Sequence, residues 1–579
     1  MLIKKLTAVA AAGAVTAAAG VFAKRKKDPE FCPKCEIKKA ISKLGFHYSV
    51  KEKYDNGISL TPPMGWSSWN TFRQNIDEKL IVDTAEAMKK SGLLDAGYCY
   101  INLDDCWQSS VRDKDGRLQG DLASFPNGIK PLVESLNTLG FKAGIYSSNG
   151  TLTCEDLPAS LGNERIDAET FAQWGIEYFK YDFCHNKPVS SEAPLLCELI
   201  VTEKDGDEVF KLTADDAVLY GSARLVCDSD GSFISGLDCA SGKAAFTVGS
   251  VETDGEYILT VVYRKKRKDD KFATLTVNNT ECTELHFPPT KAWSKFGKVQ
   301  TSVRLIKGEN LLLFENPIAS KADSAAYLYT KMGRELKRAT RLYAESKNLP
   351  EKPIVYSICE WGLNKPYKWG AQAGNLWRTT PDIQPFWASV VGIYEHNVKL
   401  ADYASKGAWN DPDMLEVGNG KLTVDENKAH FTLWCMMAAP LILGNDIRKF
   451  IKPDGTVDYS DKILQILTNR DLIAVNQDSL GIQCKRIKTN LLCDVLVKPL
   501  DNHEAAVCIF NKSKSRRRAS VSLKEVANLT DSGLPQAGRY ELFDLWSKDV
   551  SFTSDKIICD LAPHSVAVYR VKTYNTENK

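Results

Sequence analysis

Acidic residues end four short apolar runs of this chain. Tyr178-Phe179-Lys180-Tyr181 leads into Asp182, and Tyr98-Cys99-Tyr100-Ile101-Asn102-Leu103 leads into Asp104-Asp105-Cys106-Trp107. Trp377-Arg378-Thr379-Thr380-Pro381 runs into Asp382, and Ala408-Trp409-Asn410 into Asp411-Pro412-Asp413. An isolated Asp after a strand is ordinarily a helix N-cap. Four strand ends with adjoining Trp residues point instead to carboxylates gathered on one rim. That is the arrangement glycoside hydrolysis needs, with one carboxylate as nucleophile or base and another as general acid against an oxocarbenium-like transition state. Lys180 stands two residues before Asp182, on the same side of its strand. Its ammonium would favour the ionised carboxylate and hold a sugar hydroxyl. No cluster of His or Cys accompanies these Asp residues, so a metal-dependent reaction is not expected.

Carboxylates at strand ends need a parallel barrel to collect them. Between 58 and 187, apolar strand-like runs alternate with amphipathic stretches. Ile129 to Leu139 is apolar at helical spacing, Lys142 to Ser147 reads as a strand, and a helix over Phe171 ends at Gly175. The pattern changes near Asn186. From 190 to 322, short β-rich runs (Ala245–Val248, Tyr257–Tyr263, Ala273–Val277, Leu311–Phe314) are parted by turn signals at Asp254-Gly255, Asn278-Asn279 and Lys307-Gly308. This predicts an inserted β-sandwich. Helical spacing returns at Ala325 to Tyr343, and strand–helix alternation continues to 478, with a long helix around His430 to Ala439. Residues 480 to 573 read as a C-terminal antiparallel β-domain. The expected fold is a (β/α)8 TIM barrel of residues 58–187 and 325–478, interrupted by one β-sandwich and followed by another.

Lys plus Arg number 75 and Asp plus Glu 73, a balance that gives no reason to expect a nucleic-acid partner. Residues 1–23 carry Lys4-Lys5 and then an apolar run from Leu6 to Ala23, which fits a signal peptide or a membrane anchor. The basic cluster Lys24 to Lys27 suits an uncleaved anchor better. An exported, secreted or membrane-anchored protein is expected, with a cytoplasmic one as the alternative, and a polar linker over 24–57. Cys32-Pro33-Lys34-Cys35 is a lone pair and no zinc site. The oligomeric state is left open.

The motifs together resemble glycoside hydrolase family 27, the α-galactosidase and α-N-acetylgalactosaminidase family. The resemblance is carried by Thr61-Pro62-Pro63-Met64-Gly65-Trp66-Ser67-Ser68-Trp69-Asn70, Asn102 to Trp107, Gly144-Ile145-Tyr146-Ser147 with Thr153-Cys154, Lys180-Tyr181-Asp182, Cys359-Glu360-Trp361-Gly362, Trp377 to Thr380, and Gly407 to Met414. It implies Asp182 as nucleophile and Asp382 as acid/base of a retaining hydrolase. It implies Asp104 and Asp105 as the pair gripping galactose hydroxyls, with Lys180, Cys359 and Arg378 as further sugar contacts and Trp69 and Trp361 as apolar walls. Glu360, a bulky acid where the family contacts the sugar's 2-position, suits a 2-hydroxyl over an N-acetyl group. Asp104, rather than a longer acid, argues against a β-L-arabinopyranosidase. The rival of another class is a sugar-binding protein without activity. Cys154 and Cys184 match a family disulfide.

Two features depart from the family pattern. Pro381 precedes Asp382 where a small residue is usual, and it restricts both itself and Thr380. The early Cys that partners Cys106 is replaced by Arg73-Gln74-Asn75, which leaves Cys106 free. The insert more loosely resembles carbohydrate-binding modules of families 6 and 35, through Leu212 to Ala217, Gly255-Glu256-Tyr257, Val277-Asn278-Asn279 and Lys307 to Asn310. Such modules often hold calcium. Catalysis itself is expected to need no cofactor.

Overall fold

The computed structural model describes residues 48, 52–204, 206–238, 241–265, 270–290, 292, 294–529 and 531–574. The apolar segment 1–23 and the Cys32/Cys35 pair lie outside them. Among the described residues no helix is long and apolar enough to cross a membrane.

Eight parallel strands form one sheet: β1 (Met64–Ser67), β2 (Tyr100–Asn102), β3 (Lys142–Ser148), β4 (Tyr178–Asp182), β5 (Val355–Ile358), β6 (Leu376–Arg378), β7 (Trp409–Asp411) and β8 (Leu441–Leu443). Neighbours run β7-β6-β5-β4-β3-β2-β1-β8. A parallel bridge from Leu415, just beyond β7, to Leu443 of β8 links the two ends. The strands are buried nearly throughout, which is why they read as continuous apolar runs rather than alternating ones.

Helices α1 (Glu78–Lys90), α2 (Ile129–Leu139), α3 (Glu164–Trp174), α4 (Lys321–Lys347), α5 (Trp387–Asn397) and α6 (Val424–Met436) alternate with the strands. In α2, Ile129, Leu132, Val133 and Leu136 face the core, and Gly140 at φ 101° closes the helix by returning its N–H to Leu136 and Asn137. Gly175, at φ 80°, stops α3 the same way. Helix α6 starts earlier than His430. A capping box of Thr423 and Glu426 begins it, and Ala438 at φ 49° followed by Pro440 prevents its continuation. The expected linker over 24–57 also needs correction at its end. Tyr54 is buried and its N–H bonds Ala371, while the Asn56 amide bonds Ile354, so residues 54–57 belong to the barrel.

Residues 188–327 fall in a compact unit separate from 50–187 and 328–579. That unit holds two antiparallel sheets, one of five strands (218–220, 243–251, 271–277, 281–287, 308–315) and one of six (195–202, 208–213, 224–228, 231–235, 255–264, 296–305). Leu199, Val201, Phe246, Val248, Leu259, Val261, Leu312 and Phe314 fill the space between them. Asn278 and Asn279 adopt φ 50° and 58° at a hairpin turn, a conformation Asn tolerates better than most residues.

The C-terminal domain is a six-stranded antiparallel sheet faced by a two-stranded one, with its own core around Val497, Val507, Ile509 and Val571. It locks onto α5 through polar groups. Tyr394 donates to Asp494 Oδ2 at 2.8 Å, and Arg486 and Lys512 reach Glu395 at 2.6 and 2.8 Å.

Candidate active site

Asp182 is the last residue of β4 and is buried. Its Oδ2 accepts a hydrogen bond from the Tyr146 hydroxyl at 3.0 Å, and its Oδ1 accepts from the Phe183 N–H at 2.9 Å. Register explains the first contact. Tyr146 on β3 lies opposite Lys180, and Ser148 opposite Asp182. Residues two apart on a strand share a face, so Tyr146 and Lys180 come to the same side as the carboxylate. Lys180 Nζ stands 5.2 Å from the Tyr146 ring centroid and donates to Asp104 Oδ2 at 2.8 Å. Ser67 Oγ also donates to Asp104 Oδ2, at 3.1 Å, and the Asp104 N–H is held by Ser68 Oγ at 3.0 Å.

Burial is the main force on these acids. It raises Asp182 above the ordinary carboxylate value, opposed by the Lys180 ammonium, the Cys359 thiol and the Phe183 N–H. Burial likewise raises Asp105 to about 6, against donors from Cys106, Thr153 and Glu155. Burial works against the Lys180 charge, yet Asp104 and Asp182 keep it well above the ordinary lysine value.

A disulfide joins Cys154, after β3, to Cys184, after β4. Cys154 Sγ lies 3.8 Å from Asp182 Oδ2. The three side chains cluster closely enough to suggest a metal site, but the disulfide withdraws both sulfurs as thiolate ligands. Cys106 is free.

Arg378 ends β6 and is buried. Its Nη2 is shared by Asp382 Oδ1 and Asp413 Oδ2, each at 2.9 Å, and also reaches the Thr380 carbonyl at 3.2 Å. Its Nη1 lies 3.6 Å from Cys359 Sγ. Cys359 thus contacts Arg378 and also helps to lower the pKa of Asp182. The Thr380–Pro381 bond is trans. The turn across Pro381 folds back on Arg378 and keeps Asp382 on the guanidinium.

The Asp382 side chain is 60% exposed. Burial pushes its pKa up, but Arg378, with Lys180 and Arg73, brings it below the usual carboxylate value. Its neighbour Asp413 behaves oppositely. Burial, with Asp382 and Asp411, raises it to about 7 against the pull of Arg378. Asp413 sits at φ 87°, strained for any residue but Gly. Ile383 N–H on Oδ2, Met414 N–H on Oδ1 and the Trp434 indole N–H on its carbonyl, each at 2.8 Å, hold it there.

The two Trp residues expected as walls are half-buried. Arg73 stands 5.3 Å from the Trp69 ring, and Trp361, at φ 57°, meets Phe183 edge to face. Glu360 departs from expectation. It is fully buried, and its carboxylate accepts the Asn364 N–H at 2.9 and 3.0 Å and the Asn364 amide at 2.5 Å. It braces the turn from 360 to 364 instead of facing a sugar, because Trp361 and Gly362, both at positive φ, turn the chain at that point.

Asp413 belongs to one of the acidic strand ends, but its sequence does not single it out as the second partner of Arg378. Two further residues of the centre carry no role in the sequence pattern. Tyr146 lies within a strand motif with nothing to mark its hydroxyl as a partner of Asp182. Tyr329, whose hydroxyl donates to the Asp182 carbonyl at 3.0 Å, is 147 residues away on α4 and left no local signal.

The family model described as alpha galactosidase A matches residues 61–196 and 310–478, and the alpha galactosidase C-terminal beta sandwich model matches 492–571. An α-galactosidase of Cyamopsis tetragonoloba is 31% identical over 92% of each chain. One from Coffea arabica is 33% identical over 86% of this chain and 90% of its own length. The crystal structure of α-galactosidase I from Mortierella vinacea superposes with a TM-score of 0.61 at 27% identity, covering 89% of this chain and 98% of that one.

Proposed function

The chain belongs to the alpha galactosidase family of glycoside hydrolases, and on that premise we propose that it is a retaining α-galactosidase releasing terminal α-linked galactose from oligosaccharides or polysaccharides. The observation that supports this best is the pairing of two carboxylates in opposite environments. Asp182 is buried among donors, and Asp382 is exposed on Arg378.

In this reading Asp182 attacks the anomeric carbon while Asp382 protonates the departing glycosidic oxygen, giving a β-linked galactosyl ester. Asp382 then deprotonates water, which attacks the same carbon and releases galactose with its α-configuration retained. Tyr146 and the Phe183 N–H hold Asp182 in line. Lys180 and Asp104, already bonded to each other, offer a donor and an acceptor to adjacent hydroxyls. A wrong epimer would leave these buried groups unpaired, which is costly. Asp382 meets the substrate from its exposed side, where a leaving sugar has room. Glu360 gives no support to a 2-hydroxyl preference, so the choice of galactosidase over N-acetylgalactosaminidase rests on the named relatives.

For the insert we favour a carbohydrate-binding module, on its two-sheet architecture, and for the whole chain export, on the apolar segment 6–23. Turnover of nitrophenyl α-galactoside, α-N-acetylgalactosaminide and β-L-arabinopyranoside tests the activity. Turnover of the first above the others is expected. Turnover of none by folded protein would leave only a sugar-binding role.

A further inference from the structure

A second cleft, of about 650 Å³, opens between the start of α6, the turn joining α7 (Lys462–Leu467) to α8 (Arg470–Asn476), and the Trp546–Lys548 turn of the C-terminal domain. It shares no lining residue with the carboxylate rim. Its volume lies within the range of saccharide and small-ligand sites.

The Trp546 indole is fixed there by its N–H, which donates to Thr432 Oγ1 at 3.2 Å. The Lys428 ammonium stands 5.0 Å from the indole centroid. Lys462 reaches the amide oxygen of Gln465 at 3.2 Å, and Arg470 reaches the backbone carbonyl of Asp95 at 2.7 Å. Neither partner carries charge. Among the described residues none of these three cations has a carboxylate partner, and the one acid lining the cleft, Asp471, is already taken by Lys548 at 2.6 Å. The cleft thus combines an aromatic side chain with three cations that have no carboxylate partner among the described residues.

We propose that this cleft is a second, non-catalytic saccharide site that takes acidic polysaccharide. A uronate-bearing chain would lay a ring against Trp546 and set its carboxylates on Lys428, Lys462 and Arg470. A neutral glycan is the poorer fit, because hydroxyl recognition draws on free acceptors and the only carboxylate here is spent. Nucleic acid is disfavoured by the near-neutral charge of the whole chain. The site would hold the enzyme on an acidic matrix while the barrel works on galactosyl side chains.

Affinity electrophoresis of the full chain through gels containing polygalacturonate, with dextran as the neutral control, tests this. Retardation by polygalacturonate alone is expected, weakening as salt is raised. The variant K428Q/K462Q/R470Q should bind about tenfold more weakly, the combined worth of three exposed charge contacts, while turnover of nitrophenyl α-galactoside stays as in the wild type. W546F should weaken retention as well, because the indole plate is reduced. No retardation of the wild type, or retardation unchanged in the triple variant, overturns the proposal. Retention insensitive to W546F and displaced equally by inorganic phosphate would mark a bare anion patch and overturn the saccharide reading.

Discussion

Arg378 serves two acids with one nitrogen, and the balance between them sets the proton supply of the proposed reaction. Asp413 is buried and raised to about 7, while Asp382 is more exposed and held down by the same guanidinium. Protons on such a cluster come off in steps that belong to the group rather than to one residue. The proposed reaction needs Asp182 ionised and a proton on the Asp382 cluster. Activity should therefore fall on the acid side as pH drops through the raised value of Asp182, and on the basic side as the cluster loses its proton. D413N removes a negative charge beside Asp382 and leaves Arg378 to Asp382 alone. The pKa of Asp382 then drops further, and the basic limb of the kcat/KM profile moves to lower pH. An unmoved limb would mean that Asp413 only braces the backbone.

At the scale of elements, the loop after β5 is the clearest test, because there the structure departs from the sequence reading. Glu360 is raised to about 7 by burial, against the Asn364 donors. A folded carboxyl that holds its proton more tightly than the unfolded chain loses stability as pH rises between the two values. For Glu360 that window runs from about 4.5 to about 7, and the loss amounts to about 3 kcal/mol. E360Q should remove this component. The urea midpoint of the variant, relative to wild type, should then be more favourable at pH 8 than at pH 5, with KM changed less than about twofold, since no sugar contact is lost. A large rise in KM without the pH-dependent stability change would return Glu360 to the sugar site. The contrast with β3, α2 and β4 is instructive. Their apolar spacing and Gly stops fix bounds locally, so Ile129–Leu139 was legible to the residue. The direction of a loop side chain depends on backbone angles such as φ 57° at Trp361, and the contact of Tyr329 with Asp182 spans 147 residues. Neither leaves a periodic trace. The strand-end carboxylates were legible because a barrel delivers every strand end to one rim.

For the whole molecule, the barrel and the C-terminal sandwich form one unit and the segment 188–327 another. Asp494 is fully buried between Tyr394, Arg486 and Lys512, so polar groups of the sandwich complete the surface of α5. A chain ending at residue 479 would expose the apolar face of α6 and strand Glu395 without its cations. It should be recovered only as aggregate. The segment 188–327 has its own two-sheet core and should melt cooperatively by circular dichroism when expressed alone. A soluble, active truncation would show that the sandwich is dispensable.

In the proposed reaction Asp182 carries the galactosyl ester. With D382A and an α-galactoside whose leaving group needs no protonation, the first step should still proceed and the second should stall for want of a base. Proteolysis and mass spectrometry of the stalled enzyme should then find one galactosyl adduct, on the peptide containing Lys180-Tyr181-Asp182. An adduct on another carboxylate, or steady turnover in D382A with no adduct, would contradict the assignment.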